Sequence, residues 1–297
     1  RVAVADPALA PEVGAVLDDG YRRLRAAGFD ARTGLLTSST VGGGSWLAHA
    51  TMLAGTWVDN QQRYGSLPQT GRLTIGGAFR RAGWRTVAVM PGNHEPWPEA
   101  SYFGYQQVYD AGDLGYRGAA FSFATMPDQY TLAAFQRMER DRAGRAPLMA
   151  EVSLISSHAP WSPVPTFTTW GEIGDGSGFS SPGGAGDPAE IVWQRDPARV
   201  RADYGRSIEY SLRSLISYVE TYGDDNLVLV FLGDHQPARV VTGDGAGREV
   251  PVTIVARDPA VLRQIDGWGW DHSLKPGPHA PVWRMDTFRD RFLTAFG

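Results

Sequence analysis

The sequence predicts an α/β fold, a three-layer sandwich in which a largely parallel central sheet carries helices on both faces. Three observations lead there. Apolar runs without alternation, such as Leu227-Val228-Leu229-Val230-Phe231-Leu232, read as strands buried on both faces. Segments with apolar residues at helical spacing stand between them. With 297 residues, 42% of them hydrophobic and 20% charged, the chain has the size and composition of a globular protein with a sizeable core.

The elements follow in order. Val13, Val16, Leu17, Tyr21 and Leu24 share one helical face, which predicts a helix over 12–27. A second helix is predicted over 73–82, followed after Gly83 by a short buried strand over 86–90. Residues 128–142 read as helix and 151–155 as strand. Ile208, Leu212, Leu215, Ile216 and Val219 form the apolar stripe of a long helix that Gly223 ends. Strands over 227–232 and 252–255 and a closing helix over 287–296 complete the pattern. The stretch 161–190 is rich in Gly, Ser and Pro and lacks periodicity. Because the sheet pattern resumes after it, it is expected to be a mobile flap over a site, within one domain spanning 1–297.

Composition removes several classes of function. The net charge of −4 speaks against a nucleic-acid surface, which needs a basic excess. Lys275 is the only lysine, so nearly all the basic residues are arginine, as compositional drift in a GC-rich genome produces. With no cysteine there is no disulfide scaffold, thiolate metal site or cysteine nucleophile. No apolar run approaches the roughly 20 residues of a membrane span. The chain starts at Arg1 rather than Met, which leads us to expect a mature or excised fragment whose anchor lies upstream.

Ligands in α/β sheets bind beyond the carboxyl ends of strands, which directs attention to the residues found there. Gly233-Asp234-His235-Gln236-Pro237 follows the strand over 227–232 directly. A carboxylate oxygen and an imidazole nitrogen suit Zn, Mn or a similar divalent ion, although a capping Asp and a surface His would give the same letters. Gly42-Gly43-Gly44-Ser45 leads into an apolar segment. Ser45 there is either a helix N-cap or, with the free amides of a helix start around it, a nucleophile toward a phosphoryl or sulfuryl centre. His158 follows the strand ending near Ile155, and His94 and Trp97 follow the strand ending at Met90. His49 stands one helical turn past Ser45, while His272 and His279 have weaker claims.

Two motifs mislead. Gly43-Gly44-Ser45-Trp46-Leu47 imitates the G-x-S-x-G elbow of α/β-hydrolases but ends in Leu. Gly92-Asn93-His94-Glu95 matches one box of the calcineurin-like phosphoesterases, whose other boxes are missing.

Taken in order, these pieces resemble the alkaline phosphatase superfamily, and most of all its sulfatase-like branch of lipoteichoic acid synthases and phosphoethanolamine transferases. The resemblance rests on the segment from Ser45, the G-x-x-T-V-x-x-M-P-G-N run over 83–93, Tyr102-Phe103-Gly104-Tyr105 with Tyr109-Asp110, Ser157-His158-Ala159-Pro160-Trp161, and the Gly-Asp-His unit after its strand. It implies Asp234 and His235 as ligands of one divalent metal ion, Mn or Zn with Mg the remaining option. It implies Ser45 as nucleophile touching the same ion, and His158 as the group that contacts phosphoryl oxygens or protonates the leaving group. His94 and Trp97 would contact the substrate head group in the cavity that holds Ser45. The implied reaction is transfer or hydrolysis of a phosphoryl or phosphodiester group on an envelope phospholipid or phosphorylated glycan, through a covalent phospho-serine. The implied location is extracytoplasmic, with membrane association through the upstream segment.

The sequence departs from the family at the first acidic ligand, which is either Asp6 or a residue upstream of Arg1. Leu47 and His49 stand where a formylglycine sulfatase carries Pro and Arg, so that activity is rejected. Two other readings remain: a metal-independent serine esterase built on Ser45 with His158 or His279, and a degenerate, non-catalytic binding domain of the same fold.

Overall fold

The computed structural model describes residues 11–121, 123–161, 163–180 and 189–297. In chain order the main elements are α1 (Pro11–Ala26), β1 (Asp30–Thr37), α2 (Ser45–Ala54), α3 (Ile75–Arg81), β2 (Arg85–Val89), β3 (Gln107–Tyr109), α4 (Asp128–Phe135), β4 (Leu148–Val152), α5 (Pro197–Tyr222), β5 (Val228–Leu232), β6 (Glu249–Ala256), β7 (Val282–Arg284) and α6 (Phe288–Phe296). The chain forms two compact units, one of residues up to Ile75 together with Val219–Gly297, the other Gly76–Tyr218. No described helix is long and apolar enough to cross a membrane.

The α/β class holds, with helices flanking the strands. The first unit, however, has a mixed sheet in the order β5-β6-β1-β7, where a largely parallel one was expected. β6 runs antiparallel to both β5 and β1, and β7 runs parallel to β1. The apolar run of β6 is buried along most of its length, but that of β5, an edge strand, is not: Val228 is exposed and Leu229–Leu232 are half-buried, and neither run carries information on direction. Direction comes from the connection: between β5 and β6 the only helix is the four-residue Arg239–Thr242. That is too little for the helical crossover that parallel neighbours need.

β1 escaped the sequence reading because it is short of apolar residues, yet it is central. Arg32 is buried within it and bonds the Ala31 carbonyl at 3.0 Å and the carboxylates of Asp30 and Asp266 at 3.3 Å each. Thr33 and Thr253 share a hydrogen bond of 2.8 Å across β1 and β6. Gly34 is required where it stands, since a Cβ there would lie 2.5 Å from Nε1 of the Trp270 indole.

The second unit contains a parallel sheet in the order β3-β2-β4. Two of the predicted strands, β2 and β5, are thus not hydrogen-bonded neighbours. Among the described residues they belong to different sheets. The strand expected over 151–155 is Leu148–Val152, because the amides of Ile155 and Ser156 go to Asp128 instead of to β2. The helix expected over 128–142 is α4 followed by a π-helical turn at Gln136–Arg140. That turn carries Glu139, whose fully buried carboxylate accepts two bonds from Arg85 at 2.6 and 2.5 Å and one from the Tyr109 hydroxyl at 2.5 Å. The fork-to-fork pairing offsets the desolvation of the charge.

In the stretch expected as a flap, some of the described residues make contacts within the second unit. Trp161, Ile173 and Phe179 are buried. Gln129 donates to the Thr168 carbonyl at 2.6 Å, and the Trp170 indole donates to the Ser217 hydroxyl at 2.8 Å.

Candidate active site

The mixed sheet still brings two loops to one edge. β6 opposes both β1 and β5, so those two strands run the same way. Thr37 pairs with Glu249 and Leu232 with Val252, near the start of β6. The chain thus leaves β1 toward Ser45 and leaves β5 toward Asp234 on the same side of the sheet, where α/β ligands bind.

Hydrogen bonds stitch the two loops together. The Ser38 hydroxyl donates to the Asp234 carbonyl at 2.6 Å, and the Gly42 amide donates to the Gln236 carbonyl at 2.8 Å. Gln236 in turn donates its amide to the Glu249 carbonyl. Gly42, Gly43 and Gly44 all have positive φ, at 72°, 152° and 78°, a path that side chains rarely follow. This turn makes Gly44 the cap residue and Ser45 the first residue of α2. The serine hydroxyl is consequently not used as a cap.

Ser45 Oγ lies 3.2 Å from His235 Nε2. His235 Nδ1 lies 2.8 Å from the Gln236 carbonyl, an acceptor only, so Nδ1 carries the proton and the neutral ring presents an Nε2 lone pair to Ser45. Asp234 Oδ1 accepts the His235 amide at 2.9 Å, and Oδ2 lies 3.4 Å from the same Nε2. Burial alone would raise the Asp234 pKa. The positive charges of His235 and His49 in their protonated forms, with the Ser45 hydroxyl and the His235 amide, outweigh it and hold the carboxyl below its ordinary value. His49, given only a weak claim from its spacing, is thereby part of the electrostatics of Asp234.

A hydroxyl oxygen, an imidazole nitrogen and a carboxylate oxygen converge here, with no proton on the nitrogen between them. Such an oxygen-nitrogen-oxygen set suits a divalent ion of the zinc or manganese kind and fills three of about four positions. Among the described residues no group of three or more His, Asp or Glu is arranged to hold a metal. Asp6, one of the two expected first ligands, lies outside the described residues. The geometry is not that of a Ser-His-Asp relay. A relay sets the carboxylate on the imidazole nitrogen opposite the serine, whereas Asp234 and Ser45 both face Nε2.

The other expected site residues belong to the second unit. His94 is exposed on the turn after β2, and Trp97 is half-buried, its ring 5.4 Å from Phe103 and 5.8 Å from Tyr105 between centroids. His158 is exposed on the turn after β4. Its Nδ1 bonds the Ala159 carbonyl at 2.5 Å, and its ring stacks on Phe123 at 3.9 Å and 19°. Sequence reasoning passed over Phe123, in an aperiodic stretch, and gave Asp128 no role beyond beginning the helix over 128–142. No pattern in either segment announces a partner 27 or more residues away.

The Sulfatase family model matches residues 19–256, well over half of the chain. No curated protein gives a significant match. Among solved structures, the chain is similar to the lipoteichoic acid synthase LtaP from Listeria monocytogenes, with a TM-score of 0.52 and 13% identity over 92% of this chain and 64% of that one. It is similar to the Streptococcus pyogenes phosphoglycerol transferase GacH, solved with sn-glycerol-1-phosphate, with a TM-score of 0.58 and 14% identity over 96% of this chain and 69% of that one. A protein in the alkaline phosphatase superfamily from Vibrio parahaemolyticus gives 0.52 and 16%, over 84% and 55%. The chain therefore spans less than two thirds of LtaP. At these identities the likeness is one of fold, and it agrees with the family match: the chain belongs to the sulfatase family.

Proposed function

We propose that the protein is a metal-dependent transferase or hydrolase of phosphoryl or phosphodiester groups, acting on an envelope phospholipid or phosphorylated glycan. The observation that carries this reading is Ser45 Oγ at the start of α2, 3.2 Å from His235 Nε2 and beside Asp234. The relation to LtaP and GacH, a lipoteichoic acid synthase and a phosphoglycerol transferase, supports the substrate class. Such a substrate would place the protein in the cell envelope.

In this reading Ser45, Asp234 and His235 hold one divalent ion, Mn or Zn with Mg the remaining option, which supplies Lewis acidity at the serine oxygen. Ser45, whose hydroxyl proton would pass to solvent, attacks phosphorus as its alkoxide, forming the serine ester while the bond to the leaving oxygen breaks. His158, as imidazolium, gives that oxygen its proton. Neutral His158 then takes the proton of an acceptor alcohol or water, whose oxygen bonds phosphorus as the Ser45 ester breaks. His94 and Trp97 contact the head group, which would weaken binding of the natural substrate more than that of a small ester when they are removed.

The test is an acid quench of the protein turning over bis(p-nitrophenyl) phosphate with Mn²⁺, followed by peptide mass spectrometry. A phosphoester on the Ser45 peptide, absent from Ser45→Ala, is the expected result. Turnover in Ser45→Ala at the wild-type rate would overturn the reading, and turnover without added or bound metal would favour a serine esterase.

A further inference from the structure

We infer that Phe123 is a positioning residue for His158, one that fixes the imidazole with Nε2 free as a proton acceptor. The inference rests on the reaction role proposed for His158.

An exposed histidine on a turn ordinarily rotates freely, and holding it still costs side-chain entropy without burial in return. His158 is nonetheless held at every level. Its backbone is fixed on the N-terminal side by Asp128, which is completely buried. Asp128 Oδ1 accepts the amides of Ile155 at 2.8 Å and Ser156 at 2.9 Å, and Oδ2 accepts the Ser211 hydroxyl at 2.5 Å. The Asp128 amide donates back to the Ser156 hydroxyl at 2.9 Å, and the His158 amide closes the turn onto the Ile155 carbonyl at 3.0 Å. On the C-terminal side the buried Trp161 indole donates to the Ser157 carbonyl at 2.9 Å.

The ring is then fixed twice. Its Nδ1 lies 2.5 Å from the Ala159 carbonyl, which can only accept, so the neutral ring is protonated at Nδ1. One face lies flat on Phe123, centroid to centroid 3.9 Å and 19° from parallel. Phe123 is itself 46% exposed, so core packing does not account for its position. It lies near the turn after β2, where a Cβ added to Gly92 would come 4.0 Å from its Cε1. With one face covered and Nδ1 committed, what remains for a ligand is Nε2 and its lone pair. The ring in this form accepts the proton of the incoming hydroxyl as the new O–P bond forms and the Ser45 ester breaks.

The experiment combines the imidazole tautomer, read from long-range proton-nitrogen correlation spectra, with turnover of bis(p-nitrophenyl) phosphate in Mn²⁺. At alkaline pH, where the ring is neutral, wild type is expected to show His158 as a single Nδ1-protonated tautomer. Phe123→Leu should show a tautomer mixture and a kcat lower by about 10-fold, a part of the ~10²–10⁴ that acid-base catalysis supplies, with KM little changed. Phe123→Tyr, which keeps the stack, should restore both. Because Phe123 is exposed, all three proteins are expected to melt alike. A slow His158→Ala beside a Phe123→Leu protein with unchanged tautomer and kcat would overturn this inference alone. His158→Ala at the wild-type rate would overturn the reaction role of His158 and this inference with it.

Discussion

The Nε2 atom of His235 stands 3.2 Å from Ser45 Oγ while its Nδ1 is committed to the Gln236 carbonyl. The backbone of the Asp-His loop thus sets the tautomer of its own histidine. It leaves a lone pair directed at the serine, without an acidic side chain behind the ring.

Ser45→Ala is expected to reduce turnover of a phosphodiester to background while leaving the fold intact. The hydroxyl does not cap α2, so its removal withdraws no backbone partner. Circular dichroism with the turnover assay checks both halves, and wild-type turnover would remove Ser45 from the reaction.

Asp234→Ala and His235→Ala should each lower the affinity for Mn²⁺ or Zn²⁺ by at least the 10- to 100-fold that the loss of supporting groups around a metal costs, by about that rule. Titration calorimetry and elemental analysis read this without reference to activity. Unchanged stoichiometry and affinity in both variants would remove the two residues from the metal site.

Gly34→Ala should destabilise the first unit by about 1–3 kcal/mol, the usual range for forcing a methyl group into a packed interior. The added carbon would meet the Trp270 indole at 2.5 Å. A melting temperature equal to wild type would show that the indole moves aside at little cost.

Glu139 makes the second unit sensitive to acid. Burial pushes its pKa up, but the bonds from Arg85 and Tyr109 and the charges of Arg85 and Arg142 bring it below the ordinary 4.5. A carboxyl lowered in the folded state contributes stability that is present in full above 4.5 and is lost as pH falls through the native value. Urea midpoints measured across that window should therefore fall with pH in wild type and fall less in Glu139→Gln. Parallel curves would show that the pairing adds nothing.

Much of this could be read from the chain, for physical reasons. α1 and α5 announce themselves by periodicity, and β5 by its unbroken apolar run. Asp234, His235 and Ser45 were legible because strand ends and glycine turns fall at fixed places in the sequence. β1 was not, because Arg32, Thr33 and Gly34 are accommodated by partners on other elements, Asp266, Thr253 and Trp270. Strand direction in the first sheet was equally hidden, since it depends on how residues 233–248 fold back. Asp128 illustrates the same limit: an acid at a helix start looks like a dipole partner until Ile155, Ser156 and Ser211 are seen around it.

Ser45 and His235 are 190 residues apart in the chain. Contacts of that separation form only after a long loop has closed, and loop closure is what slows folds rich in non-local contacts. Because β6 lies between β1 and β5, the reactive pair cannot meet until a strand later in the chain than either has threaded into place. Catalytic competence should therefore be among the last properties gained during biosynthesis. A nascent or truncated chain that already has most of its helices would not yet hold Ser45 beside His235, because that pairing waits until β6 has been made.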